Sequence, residues 1–361
     1  MIWFFFVIPV LVAACWSPYA LKINPRERGT VFSILAVAVV VAMGLQALSY
    51  VVAIDASSSD VEILNGKVLS KSRERVSCEH SYECNCYYIE TCSGSGTSRS
   101  CTRTRHCSTC YEHSYDVDWD VQTSVGTITI NRIDRQGLGQ PPRWTNVVLG
   151  EPVSRSHSYN NYILGNRDSL FAKNKEYGEK FKEIIPEYPE VYDYYRYNRV
   201  LNITGMYLPT VYWNSVLNDE LKSLGPARQV NIILVVSKDQ PAELFNGIVY
   251  NWAGGKKNDV IVVVNIDDAQ NITWVRSTSF ADGMDNMELH HRIEDKLIGQ
   301  GMGVAVLKDI TNGIAVGFNR VSMEKMEYLK WRPMTTWEAV WVAFIGALLP
   351  LIAGVIITRR Y

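Results

Sequence analysis

Val230-Asn-Ile-Ile-Leu-Val-Val236, Pro241-Ala-Glu-Leu-Phe-Asn-Gly-Ile-Val-Tyr-Asn-Trp252, Ala253-Gly-Gly-Lys-Lys-Asn-Asp259 and Val260-Ile-Val-Val-Val264 form the run that decides the fold. Leu244, Phe245, Ile248, Val249 and Trp252 recur at helical spacing and make one apolar face, so an amphipathic helix follows a strand. The continuous β-branched run Val260 to Val264 suits a strand covered on both faces and reads as the central strand. Ile272-Thr-Trp-Val-Arg-Ser-Thr278 mixes apolar with polar residues, as a more exposed neighbouring strand should. Upstream, Val211, Val216, Leu217 and Leu221 give a helix over Tyr207 to Leu224 that Gly225-Pro226 should end. Downstream, Asp285 or Asn286 is placed to cap a helix over Met287 to Ile298. The glycines of Gly299-Gln-Gly-Met-Gly303 then allow a turn before Asp309 or Thr311 caps a last helix. The fold class is therefore α/β, a mixed sheet flanked by helices.

The rest of the 361-residue chain segregates its apolar residues, so the net charge of -1 says little. Val31 to Ile54 contains no charged residue and is long enough to cross a bilayer, which takes about 20 residues. Trp337 to Thr358 is nearly as apolar, with Trp337, Trp341 and Tyr361 where interfacial aromatics belong. Both read as transmembrane helices. Residues 1–16 are apolar but short, and admit two readings: a first transmembrane helix, or a cleaved signal with Leu11-Val-Ala-Ala-Cys15 similar to a lipoprotein lipidation box. No Lys or Arg precedes that apolar core, which argues for the helix. Lys22, Arg26, Arg28, Arg359 and Arg360 sit on one side of the membrane segments and Asp55, Asp60 and Glu62 on the other, which places residues 55–336 outside the cytoplasm. Lys325, Lys330 and Arg332 dilute that asymmetry.

Between these segments the composition changes abruptly. Cys78, Cys84, Cys86, Cys92, Cys101, Cys107 and Cys110 are packed among Ser, Thr, Arg, Tyr and Gly, with too few aliphatic residues to bury a core. Outside the cytoplasm disulfides are expected, and the odd count leaves one thiol for a partner chain or a free role. In a reducing compartment, Cys84-Asn-Cys86 and Cys107-Ser-Thr-Cys110, with His106 and His113 nearby, would instead supply a tetrahedral zinc site. Val117-Asp-Trp-Asp-Val121 and Val125-Gly-Thr-Ile-Thr-Ile130 alternate and read as antiparallel strands of the same small β module. Leu170, Phe171, Tyr177 and Phe181 line a helix ahead of Pro186 and Pro189; Tyr188, Tyr192, Tyr194, Tyr195 and Tyr197 follow without a settled period, as in a docking seam between modules.

Trp252, the Gly-Lys turn and Asn258 just ahead of the apolar strand, in their helix, strand, helix, strand, strand order, resemble the TPM domain over about 210–328. That family covers thylakoid-lumen proteins of photosystem II repair, related bacterial membrane proteins and a nematode acetylcholine-receptor accessory protein. The resemblance implies a TPM-like sheet tethered by a C-terminal transmembrane helix. Phosphatase activity has been proposed for some members. Where the family continues with a Gly-aromatic-Gly turn and an acidic residue, this chain has Thr278-Ser-Phe-Ala-Asp-Gly283, which keeps only Asp282 and Gly283. The resemblance thus supports a fold better than an enzyme.

The carboxyl ends of α/β strands are where ligands tend to bind, and Asp267, Asp268, Asp282 and Asp285 lie there. They are candidate ligands for Ca²⁺ or another hard cation. Glu288 and His291 share a helix face and extend the candidate set, with Zn²⁺ as the other metal to consider. Turn capping and helix-surface ion pairing explain the same residues and are the preferred reading. No catalytic triad, P-loop or zinc-protease motif is present in the sequence.

The expected organisation is a short transmembrane or signal-like segment at 1–16, a transmembrane helix at 31–54, and a cysteine-rich β module at 56–165. A Tyr-rich connection at 166–208, a TPM-like α/β domain at 209–330 and a transmembrane helix at 337–358 complete it. The expected role is non-catalytic support or assembly of a membrane protein complex, with the bilayer and that complex as partners and no nucleic acid. Two alternatives stand beside it: a metal-dependent phosphohydrolase using Asp267, Asp268, Asp282 and the His-rich helix, and an envelope or surface component whose unpaired cysteine links copies of the chain.

Overall fold

The computed structural model describes residues 6–23, 28–93, 100–189, 198–280, 286–331 and 334–360. Two apolar helices open the chain: α1 (Val7–Ile23) and α2 (Arg28–Ser58). With no intervening loop, α2 passes into β1 (Ser59–Val76), an 18-residue strand. Then come β2 (Ser81–Ser93), β3 (Ser100–Tyr111), β4 (Asp116–Thr123), β5 (Gly126–Ile130), α3 (Pro142–Asn146) and β6 (Pro152–Asn160). Three short helices follow, α4 (Tyr162–Gly165), α5 (Arg167–Leu170) and α6 (Lys175–Lys180). The second half runs β7 (Val200–Asn202), α7 (Thr210–Arg228), β8 (Asn231–Lys238), α8 (Glu243–Asn251), β9 (Asp259–Ile266), β10 (Ile272–Ser279), α9 (Met287–Leu297) and α10 (Val304–Gly317), and ends in α11 (Thr336–Arg360).

The decisive stretch forms a four-stranded sheet in the order β10-β9-β8-β7. Strands β7, β8 and β9 are parallel and β10 is antiparallel to β9. Every residue of β9 is buried, and the reason is the alternation of a strand. Ile232, Leu234, Val236, Val260, Val262 and Val264 face a core closed by α7, α9 and α10, whereas Ile233, Val235, Ile261 and Val263 face another closed by α8, Phe181 and Trp252. A run hydrophobic at every position is what a strand between two helical layers requires.

Three local expectations are corrected. Helix α7 runs through Gly225 and Pro226 to Arg228 and stops at Gln229, whose φ of 52° is left-handed. Pro226 sits in the last turn, where its missing N–H removes only one bond at a fraying end. Asp309 and Thr311 lie inside α10, which starts at Gly303 instead. The region of Leu170 to Phe181 is not one helix but breaks into α5, a 3-10 turn and α6. Tyr192, Tyr194, Tyr195 and Tyr197 lie outside the described residues, as do Asp282 and Asp285.

A second sheet, β5-β4-β1-β6, is antiparallel throughout. The first half of β1 pairs with β6 and the second half with β4, with a register shift between Val68 and Ser70. Its core is small: Val68, Val117, Trp119, Val121 and Ile130, covered by Trp144 of α3. Lys71 fixes that lid, its Nζ donating to the carbonyls of Trp144, Thr145 and Val147 at 3.0–3.2 Å.

Residues 29–58 of α2 and 336–357 of α11 make two helices long and apolar enough to cross a membrane; Val7–Pro18 is a shorter apolar helix. The three pack together through Ala13, Val31, Leu35, Ala353 and Ile357. Glycines permit the close approach: a Cβ on Gly346 would strike Gln46, and one on Gly354 would strike Trp16 at 2.6 Å. Gln46 donates to the Val342 carbonyl at 3.1 Å, a polar tie between α2 and α11. Val37, Val40, Leu48, Val52, Phe344 and Ile352 point outward, leaving an apolar exterior.

Candidate interaction hairpin and the turn that docks the two halves

Strands β2 and β3 pair only with each other. Isolated two-stranded hairpins are marginal in water, and among the described residues this one contributes none to the buried apolar clusters. Covalent bonds supply what burial does not. Cys84–Cys110, Cys86–Cys107 and Cys92–Cys101 are disulfides, nested along the ladder with sequence separations of 26, 21 and 9. The four cysteines of the zinc alternative are thus consumed pairwise, and the expected odd thiol is Cys78, which is buried. Cys15, on α1, is the other free cysteine and is exposed.

What the hairpin displays is aromatic and basic. Tyr82, Tyr87, Tyr88, Ile89 and Tyr111 are exposed. Cross-strand contacts hold them in place: Tyr87 stacks on His106 at 5.7 Å, and the Arg103 guanidinium lies 4.1 Å from the Tyr88 ring centre. Arg105 pairs with Glu83 at 2.9 Å. Rigid tyrosines with adjacent arginines are the residue types that dominate binding energy at protein interfaces. At the foot of the hairpin a shallow groove of about 700 Å³ is lined by Glu79, His80, Asp118, Arg132, Asp134 and Arg135, among others. Asp134 forms one wall, its carboxylate accepting from the N–H groups of Gln136, Gly137, Leu138 and Gly139.

The Gly-Gly-Lys-Lys-Asn-Asp turn docks the α/β half onto the β module. Ala253, Gly254 and Gly255 all have left-handed φ, and a Cβ on Gly255 would meet Ile261 at 2.8 Å, so the turn demands glycine there. Having been turned out, Lys256 pairs with Asp60 of β1. Lys257 donates its backbone N–H to the Tyr159 hydroxyl at 3.0 Å, and the Asn258 amide donates to the Ile63 carbonyl at 2.8 Å. Glu62 completes the seam by pairing with Arg320 and, at 2.9 Å, with His157. Behind the turn, Asp259 accepts from Tyr188, Asn231 and the Lys256 N–H at 2.7–2.8 Å. Burial pushes its carboxyl above the ordinary range despite those donors. Tyr188 also packs edge-on against Trp252 at 5.6 Å, and buried Arg199 continues the same network through Asn231 and Asn218.

Comparison with known proteins gives no match to a protein family, to a curated protein or to a solved structure.

The acidic candidates are held in separate places. Asp267 closes the β9–β10 turn, accepting from the Asn271 N–H at 2.8 Å. Asp268 is exposed and pairs with Lys238 at 2.8 Å. Glu288 pairs with Arg292 at 2.6 Å along α9, and His291 lies on the outer face of that helix. Because β10 is antiparallel to β9, α9 starts near Ser279 at the far end of the strand from Asp267, and these four described residues do not converge. The neighbour His290 is the histidine that is used: it is buried between Ser277 Oγ at 2.9 Å and Ser279 Oγ at 3.0 Å. Asn286 does not cap α9 through its side chain but ties Ser279 to Asn319. Sequence reading gave no sign of this network, because a serine every second residue on a strand is ordinary until a helix places a histidine over it.

Proposed function

We propose that the chain is a membrane-anchored protein whose residues 55–336 lie on the extracytoplasmic side. There it supports or assembles a membrane protein complex without catalysis, using the disulfide-stapled hairpin as its docking arm. The observation that carries the reading is an arm stapled by three disulfides whose described residues join no buried apolar core and that displays Tyr82, Tyr87, Tyr88 and Arg103 to solvent. Covalent staples on a segment that stabilises nothing else are accounted for if its exposed face must be kept in one shape for a partner. Disulfides of this density belong to oxidising compartments, which supports the orientation. The helix, strand, helix, strand, strand, helix order of the second half supports a TPM-like reading of that domain.

The test compares the native mass of the assembly extracted in mild detergent from its own membrane for the unaltered chain and for Tyr87→Ser, Tyr88→Ser and Arg103→Glu. The expected result is loss of the high-mass species with the variant chain still folded. Retention of the same species by all three variants would refute the docking arm. Orientation is read separately, by a membrane-impermeant thiol reagent applied after reduction to intact cells; labelling of Cys84 to Cys110 from the outside is expected.

The phosphohydrolase alternative finds Asp267 and Asp268 engaged in a turn and an ion pair. Robust phosphatase turnover abolished by Asp282→Ala would restore it. Linkage of copies through an unpaired cysteine would have to use buried Cys78 or Cys15 within α1. Non-reducing electrophoresis is expected to show the monomer.

A further inference from the structure

Cys78, left over from the disulfides, faces a histidine and a carboxylate. Its Sγ lies 3.8 Å from His113 Nδ1, and His113 Nδ1 lies 3.3 Å from Asp116 Oδ1. The three ligand atoms all fall within 4.8 Å of one another. A tetrahedral zinc ion, with Zn–S of about 2.3 Å and Zn–N or Zn–O of about 2.0 Å, sets its ligands about 3.6 Å apart for S and N and about 3.3 Å apart for N and O. The Sγ–Nδ1 and Nδ1–Oδ1 spacings match two edges of such a tetrahedron, and the third pair, Cys78 Sγ and Asp116 Oδ1, lies within 4.8 Å.

The carboxylate gives the independent sign. The Asp116 side chain is wholly buried, and its two oxygens are treated differently. Oδ2 accepts from the Glu79 N–H and from Arg132 Nη1, both at 3.0 Å. Oδ1 is turned toward Cys78 and His113 and has no donor of good geometry among the described residues; its nearest polar atom there is His113 Nδ1 at 3.3 Å. A buried carboxylate oxygen that faces only a thiol and an imidazole, while its partner oxygen is anchored by two donors, is held in the way outer-shell groups hold a metal ligand. Thiolate, imidazole and carboxylate together select zinc over Ca²⁺ or Mg²⁺, which take oxygen ligands. His113 keeps a quarter of its side chain exposed, so the fourth position opens to solvent.

We propose that Cys78, His113 and Asp116 bind one Zn²⁺ at the base of the hairpin, with water as the fourth ligand. The site would clasp the hairpin where it leaves the sheet: Cys78 precedes β2, His113 follows β3, and Asp116 begins β4. It is distinct from the acidic residues at the ends of β9 and from the disulfide cysteines, and it holds whether or not the hairpin docks a partner.

The test uses the full chain in detergent with its disulfides intact, in a Cys15→Ser background, which leaves Cys78 as the single thiol. After chelation and desalting, Zn²⁺ uptake is measured by metal analysis, and Co²⁺ is added in its place to look for thiolate-to-metal charge transfer in the near ultraviolet. The expected result is one ion per chain with that band, loss of the band in Cys78→Ser, and affinity weakened by about a hundredfold in His113→Gln. Binding of no zinc, or Co²⁺ binding without the thiolate band, would overturn the site. So would unchanged affinity in His113→Gln, a partly exposed position whose replacement leaves the Asp116 anchors in place should Cys78→Ser fail to fold.

Discussion

Replacing Cys92 and Cys101 together by serine removes the bridge nearest the hairpin tip. The bridged residues are 9 positions apart. A cross-link closing a loop of that size restricts the open chain by about 2.7 kcal/mol at 25 °C on the chain-entropy relation. Because β2 and β3 pair with no third strand and join no buried apolar cluster among the described residues, this loss has nowhere to be absorbed by burial and should appear as local opening. It corresponds to faster exchange of the ladder amides of Tyr88, Ile89, Thr104 and Arg105 by up to about a hundredfold, at 1.4 kcal/mol per tenfold. The amides of β8 and β9 should not change, since their cores contain no hairpin residue. Hydrogen exchange read by mass spectrometry on the full chain in detergent separates the two regions. Unchanged protection in the hairpin, or an equal rise in β8 and β9, would refute the view of the arm as an independent, covalently held unit.

Lys256→Met should loosen the seam between the two halves: among the described residues, buried Asp60 would keep the neutral donors Val61, Tyr159 and Asn161 but no cation, a cost of about 1–3 kcal/mol. Lys257→Met, which leaves its backbone bond to Tyr159 in place, should fall well short of that in the same thermal unfolding experiment. Gly346→Leu should overpack the α2–α11 contact at Gln46 and destabilise the helical bundle by about 1–3 kcal/mol, seen as a lower melting temperature in detergent; an unchanged value would contradict the packing. The Asp134 carboxyl is held below its ordinary 3.8, first by the Gly139 N–H, against burial, and then by the N–H groups of Leu138, Gly137 and Gln136. A depressed carboxyl contributes stability that is complete above pH 3.8 and is lost as pH falls through its folded-state value. Asp134→Asn should therefore be less stable at neutral pH and less acid-sensitive below pH 3.8, followed by tryptophan fluorescence of the β module.

The central strands were legible because burial on both faces writes itself as an unbroken β-branched run. Val260 to Val264 could be read from composition alone, and so could the apolar lengths of α2 and α11. The amphipathic face of α8 was equally plain, since Leu244 and Ile248 recur at a helical period. The pairing of β1 with β6 leaves no such local mark. Their register is set by long-range pairing, and Ser59 to Val76 mixes polar and apolar residues because only part of it covers a core.

Sites suffered more than elements. Acidic residues clustered in sequence around β9 and α9 are separated in space because β10 reverses direction between them. Cys78, His113 and Asp116, spread over 39 residues of sequence, are brought together because the hairpin leaves and returns at one point. The chemical identity of the groups, the odd cysteine count and the need for covalent staples in a core-poor segment belong to the sequence. Which cysteine is left over, and that the Gly-Gly-Lys-Lys turn grips Asp60 and Tyr159, belong to the tertiary structure. Both depend on contacts between residues that no local propensity or period relates.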